Sequence, residues 1–166
     1  MPACVADTSP LVALSSIQRL DLLRVVFDEV RIVPAVFAEI VTEGVGWWQA
    51  KQLQDDIRDG KWMHRCAAIS SALERDLRSR LGGSGEAEVI ALAVHQRLPV
   101  LLDELAGRRA AGALGLTIIG SLGVLRRAKA GGHIDRIRPL ATAMVEAGIY
   151  FHDSLLERFY REIDEA

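Results

Sequence analysis

The stretch Cys4-Val5-Ala6-Asp7-Thr8-Ser9-Pro10-Leu11 decides the fold, because a short apolar run halts at an aspartate and passes straight into a helix. An apolar run without polar alternation suits a parallel strand buried on both faces. Asp7 then stands at the C-terminal end of that strand, where open α/β sheets place their ligands. Three more strand-like runs, Val30–Val33, Val100–Leu102 and Thr117–Ile119, are separated by helical patterns. The alternation predicts an α/β fold, with a central parallel sheet covered by helices on both faces.

Working outward, Pro34 suits the first position of a helix over Pro34–Thr42, with Val33, Val36, Phe37 and Ile40 on its buried stripe and Glu39 off it. Trp47–Arg58 reads as an amphipathic helix and Lys61–His64 as a short strand or extended edge. Ser70–Arg80 has the charge of a solvated helix, and Gly82-Gly83-Ser84-Gly85 breaks the chain before a helix over Glu86–Gln96. A helix over Gly120–Ala130 is stopped by Gly131-Gly132, and a last helix begins near Asp153 or Ser154, either of which suits its cap. There is no repeat, low-complexity tract or linker, so one domain over residues 1–166 is expected.

Composition narrows the class. With 50% hydrophobic and 25% charged residues the chain has the make-up of a soluble globular protein. A net charge of -2 argues against coating nucleic acid by bulk charge. Yet Leu105–Arg138 holds seven basic residues, Arg108 and Arg109 among them, against one acid, so the remainder carries -8. An acidic region beside a basic segment suits a metal-dependent enzyme acting on a polyanion. Cys4 and Cys66 lie far apart without C-x-x-C spacing, which indicates small buried hydrophobes rather than a disulfide or zinc framework. No signal-peptide pattern opens the chain, and its longest uncharged run, Ala110–Leu125, is short for a membrane span and contains four glycines. A cytoplasmic location without membrane contact is expected.

Asp7 is joined by Glu39, by Glu86 in Gly85-Glu86-Ala87-Glu88-Val89-Ile90-Ala91-Leu92-Ala93, and by Asp103-Glu104 after Pro99-Val100-Leu101-Leu102. Each also has an ordinary structural reading: Asp7 as a helix N-cap, Glu39 as an exposed helix residue, Glu86 as a first-turn acid, Asp103 and Glu104 as turn residues. Taken together, the topology brings all of them to one sheet edge. Clustered carboxylates repel unless a cation neutralises them, and hard oxygen ligands suit Mg²⁺ or Mn²⁺. His64, His95, His133 and His152 lack ligand spacing, the glycine run lacks the lysine of a phosphate loop, and Trp47-Trp48 reads as core or interface.

Asp7-Thr8-Ser9-Pro10-Leu11, Val33-Pro34-x-Val36-x-x-Glu39-Ile40, the Gly85–Ala93 run, Leu101-Leu102-Asp103-Glu104 and Gly120-Ser121-Leu122-Gly123 resemble, in order and spacing, the PIN-domain family and its prokaryotic VapC-like branch. The resemblance implies an α/β/α sandwich whose acids bind Mg²⁺ or Mn²⁺ and cleave RNA. It also implies a toxin held by a small antitoxin, and a homodimer. Carried over by position, Asp7, Glu39, Glu86, Asp103 and Glu104 are the catalytic set, with Asp7, Glu86, Asp103 and Glu104 as metal ligands. Thr8, Ser9, Arg108 and Arg109 are the candidates for substrate contact. Two departures stand out: Glu86 is where Asp is often found, and the Thr-Asp pair usual before the fourth acid is missing. A non-catalytic module of the same fold is the main rival, and a receiver-type phosphotransfer protein is disfavoured because Asp7 has no acidic neighbour in sequence.

Overall fold

The computed structural model describes residues 2–44 and 50–166. Five strands form one parallel sheet: β1 (Ala3–Ala6), β2 (Glu29–Ile32), β3 (Met63–Arg65), β4 (Val100–Leu101) and β5 (Ile118–Ile119), in the order β3-β2-β1-β4-β5. Every residue of β1 is buried, as an unalternated apolar run requires of the central strand. β2 alternates, burying Val30 and Ile32 while Glu29 and Arg31 stay partly exposed.

Among the described residues ten α-helices accompany the sheet. On one face α1 (Thr8–Ser16) packs against α4 (Lys51–Asp59), α8 (Ser121–Ala130) and α9 (Arg138–Glu146), and α2 (Asp21–Val26) packs on α8. On the other, α6 (Ser84–Gln96) packs against α3 (Pro34–Phe37), α5 (Ala72–Leu81) and α7 (Leu105–Ala113). α10 (Asp153–Glu162) is the last. This is the expected three-layer α/β sandwich. The chain runs from β1 to β2 on one side and later returns to β4 on the other, so the strand order reverses between β1 and β4. Such a switch point opens a crevice at the strands' C-terminal ends.

Several local expectations are refined. The segment after Pro34 is not a uniform α-helix: beyond Phe37 it widens into a π-helical turn over Ala38–Thr42, which carries Glu39. Gln54 Nε2 donates to Ile40 O at 2.9 Å and to Gly44 O at 3.3 Å, tying down this turn from α4. At Gly44 an added Cβ would lie 2.2 Å from Ile40 O, so a side chain there is incompatible with the turn. α5 is less solvated than its charge suggests, because Leu77 and Glu74 are buried and Glu74 pairs with Arg78. It ends at Gly82, whose φ of +72° is the left-handed conformation that glycine adopts without a Cβ penalty. The α10 cap is His152, whose side chain accepts from Ser154 N, rather than Asp153 or Ser154. Cys4 is buried as expected, but Cys66 is only half-buried. Trp47 and Trp48 lie outside the described residues. No helix among the described residues is long and apolar enough to cross a membrane.

Part of the basic segment meets the chain's own C-terminus. Arg126 pairs with Glu162 at 2.7 Å and lies 5.0 Å over the Phe159 ring, Lys129 pairs with Glu165 at 2.6 Å, and Arg138 donates to Glu165 O at 2.9 Å. Arg126 and Lys129 are thereby paired within the fold, so their charges serve its packing.

Candidate metal centre

Asp7 follows β1 directly, and its backbone is fixed by the sheet, with Asp7 N donating to Leu101 O at 2.9 Å. It occupies the N-cap position of α1 with extended φ and ψ, but its side chain makes no capping hydrogen bond there. The capping explanation of this aspartate thus fails on geometry. Asp7 is only 6% exposed, and its carboxyl is pushed up to about 7. Burial is the main cause; Glu86, Glu39 and Asp103 add repulsion, while the Thr8 backbone amide opposes the shift.

The other acids close around it. Glu39, exposed on the π-helical turn, accepts a hydrogen bond from the Thr8 hydroxyl, which links the first two acids across 31 residues of sequence. The first turn of α6 comes close to both: a Cβ built at Gly85 would lie 3.1 Å from Glu39 Oε1 and 3.6 Å from Asp7 Oδ1. Glu86, next along, is half-buried and raised by burial and by the charges of Glu104 and Glu39. Its Oε2 is buried with no hydrogen-bond partner among the described residues. Across from it, Gly107 of α7 leaves the space that Glu86 fills, since a Cβ there would fall 2.1 Å from Glu86 Oε2.

Asp103 caps α8. Its Oδ1 accepts from Ser121 N at 2.8 Å and its Oδ2 from the Ser121 hydroxyl, with Arg108 nearby. Burial raises its pKa, Ser121 and Arg108 pull it down, and Glu104 pushes it up again. Glu104 sits exposed at the N-cap position of α7 without a capping bond. Arg108 donates to Leu102 O at 2.9 Å, while Ser9 and Arg109 are exposed. Asp7, Glu39, Glu86, Asp103 and Glu104 therefore lie around one sheet edge.

Three contributors escaped the sequence reading. Glu88, buried two residues past Glu86, accepts from Ala35 N at 2.9 Å and so holds the start of the helix that carries Glu39. Ser121 occupies both oxygens of Asp103. Gly107 was detectable in principle, since a glycine inside a helix costs about 1 kcal/mol against alanine and so signals a close approach.

Among the described residues no three His, Cys, Asp or Glu side chains are gathered closely enough, as they stand, to hold a metal ion. The donor chemistry nevertheless fits a hard divalent cation. Every candidate ligand is a carboxylate oxygen, one of them is buried without a donor, and Asp7, Glu86 and Asp103 are raised in part by one another's or their neighbours' negative charge.

With this geometry in view, the comparisons are specific about family. The family model DUF3368, a PIN domain, matches residues 3–165. The chain belongs to the PIN-domain family. PIN domains are generally metal-dependent nucleases, in keeping with the acidic edge. Among solved structures, a PilT N-terminus domain protein from the hyperthermophilic archaeon Sulfolobus solfataricus P2 is similar at 11% identity, over 90% of this chain and 97% of that one, with a TM-score of 0.42. No protein of curated function matches the chain.

The role of Gly107 is open to direct test. Gly107→Ala supplies a better helix former, so thermal stability should hold or rise slightly. The new methyl must nonetheless displace the flexible Glu86 carboxylate, and Mn²⁺ affinity should fall by about 10- to 100-fold, as for loss of a supporting contact at a metal site. A thermal melt paired with a Mn²⁺ titration checks this. Unchanged affinity would mean that the Glu86 position is not needed.

Proposed function

We propose that this PIN-domain protein is a Mg²⁺- or Mn²⁺-dependent endoribonuclease. The observation that carries the reading is the unpartnered buried oxygen of Glu86 beside a buried Asp7 whose carboxyl is raised to about 7 among other acids. Such a centre is poorly satisfied by the protein alone, and a divalent cation relieves it.

Asp7, Glu86, Asp103 and Glu104 would hold the cations, with Glu39 completing the acidic ring. A bound Mg²⁺ or Mn²⁺ supplies Lewis acidity toward a phosphodiester and lowers the pKa of water. The chain's own residues do the rest. Thr8 orients Glu39, Ser121 fixes the Asp103 carboxylate, and Glu88 anchors the helix that carries Glu39. Thr8, Ser9, Arg108 and Arg109 would contact the phosphates of a bound strand, Thr8 through the hydroxyl it also offers Glu39.

The same reading makes the chain a single domain over residues 1–166, active in the cytoplasm as the toxin of a toxin–antitoxin pair. A small antitoxin protein and a second copy of the chain would be its partners. These follow from the resemblance to the VapC-like branch. A second reading, a PIN-fold module that binds RNA or protein without cutting, draws on the spacing of the acids, none of which yet forms a ready coordination group among the described residues.

Purified protein incubated with single-stranded RNA and Mn²⁺ separates the two. Cleavage that EDTA abolishes supports the enzyme; retention of intact RNA in a stable complex with Mn²⁺ present supports the binding module.

A further inference from the structure

Arg65 is the last residue of edge strand β3, in register with Ile32 of β2, and so ends at the same sheet edge as Asp7. With β2 between them, β3 and β1 are about 10 Å apart. Its guanidinium carbon lies 3.6 Å from the centroid of the Phe37 ring. Phe37 ends α3 two residues before Glu39, which stands on the π-helical turn that continues it, so one continuous helical segment holds an acid of the centre and a platform for this arginine.

Unlike Arg19, Arg31, Arg78, Arg80 and Arg126, each tied to a carboxylate, Arg65 has no ion pair or side-chain hydrogen bond among the described residues. It is also exposed. A ring face restricts the guanidinium without using its N–H donors, which are planar, permanently charged and suited to bidentate phosphate contact. On the β4 side of the acids, Arg108 and Arg109 supply positive charge at the start of α7. An acidic centre flanked on both sides by arginines suits a strand lying across the sheet edge, with its reacting phosphate above the acids.

We propose that Arg65, held against Phe37, binds a backbone phosphate of the RNA one or two nucleotides from the bond that is cut. This rests on the ribonuclease reading and adds a subsite to it. The contact is sequence-independent, because a phosphate carries no base identity.

The test compares the full-length wild type with Arg65→Ala, Arg65→Lys and Phe37→Leu, using Mn²⁺-dependent cleavage of a labelled single-stranded RNA at several salt concentrations. Arg65→Ala should raise KM about tenfold, in keeping with loss of a charged hydrogen bond, with little change in kcat. The salt dependence of log(kcat/KM) should flatten by about 0.7, the share of one phosphate on a single strand. Arg65→Lys should keep most of the salt dependence but not the full affinity, and Phe37→Leu should raise KM with the slope retained. The penalty should be larger on a long RNA than on a dinucleotide. Wild-type KM and slope in Arg65→Ala overturn the subsite while leaving the ribonuclease intact, and a lowered melting temperature with those parameters unmoved would mark the pair as packing only. A wild type that cleaves no RNA overturns the reading beneath it, and the subsite with it.

Discussion

Asp7→Asn is expected to lower Mn²⁺-dependent RNA cleavage by about 10³-fold while making the metal-free protein more stable. The first effect follows from position: Asp7 is the most buried of the clustered acids, and a carboxamide lacks the charge that would hold a catalytic cation. The second follows from the same burial. A carboxyl raised from 3.8 to about 7 binds its proton more tightly in the folded chain than in the unfolded one. Its contribution to stability is fully present below about pH 4 and is lost as pH rises through about 7. Above pH 7 the buried charge costs about 2–4 kcal/mol without a cation, and asparagine removes that cost. Melts between pH 4 and 8, with EDTA and with Mn²⁺, should show the wild type gaining from alkaline Mn²⁺ and the variant gaining little. A variant less stable than the metal-free wild type at pH 8 would show that the carboxylate is a structural asset.

Glu165→Ala is expected to cost about 2–4 kcal/mol of stability and roughly 5–15 °C in Tm, without touching the acidic centre. The Glu165 side chain is 4% exposed, pairs with Lys129, and accepts from Ile137 N and Arg138 N at the start of α9. Its removal orphans two amides and leaves Lys129 without its partner. Burial opposes the charge of Glu165, but Lys129 and the two amides outweigh it and hold the carboxyl down to about 2, against an ordinary value of 4.5. This stabilisation is complete above about pH 4.5 and disappears as pH falls toward 2. The stability gap between wild type and variant should therefore be wide at pH 6 and narrow sharply in acid. A gap that stays constant across that range would assign the loss to packing instead.

What the sequence made legible was local. Asp7 stood out because an apolar run ended on it, and the sheet followed from the alternation of such runs with helical patterns. The acids were identifiable as a set because parallel topology brings strand ends to one edge. The supporting contacts were not legible, because their partners are distant along the chain: Glu88 meets Ala35 across 53 residues, Ser121 meets Asp103 across 18, and Glu165 meets Ile137 across 28. Nothing in Gly85-Glu86-Ala87-Glu88 says which glutamate turns toward Asp7 and which toward α3. Segment charge misled for the same reason. Leu105–Arg138 is basic in isolation, but the fold pairs Arg126 and Lys129 of it with acids of the C-terminus. The π-helical turn was hidden because its determinants are a glycine beyond its end and a glutamine on another helix.

The central claim is that these carboxylates form one divalent-cation site, and Mn²⁺ binding followed by electron paramagnetic resonance at neutral pH tests it most directly. The account predicts saturable Mn²⁺ binding by the wild type that weakens by about 100-fold in Asp7→Asn, with competition by Mg²⁺. Absence of saturable binding in the folded wild type, or equal binding by Asp7→Asn, would contradict it.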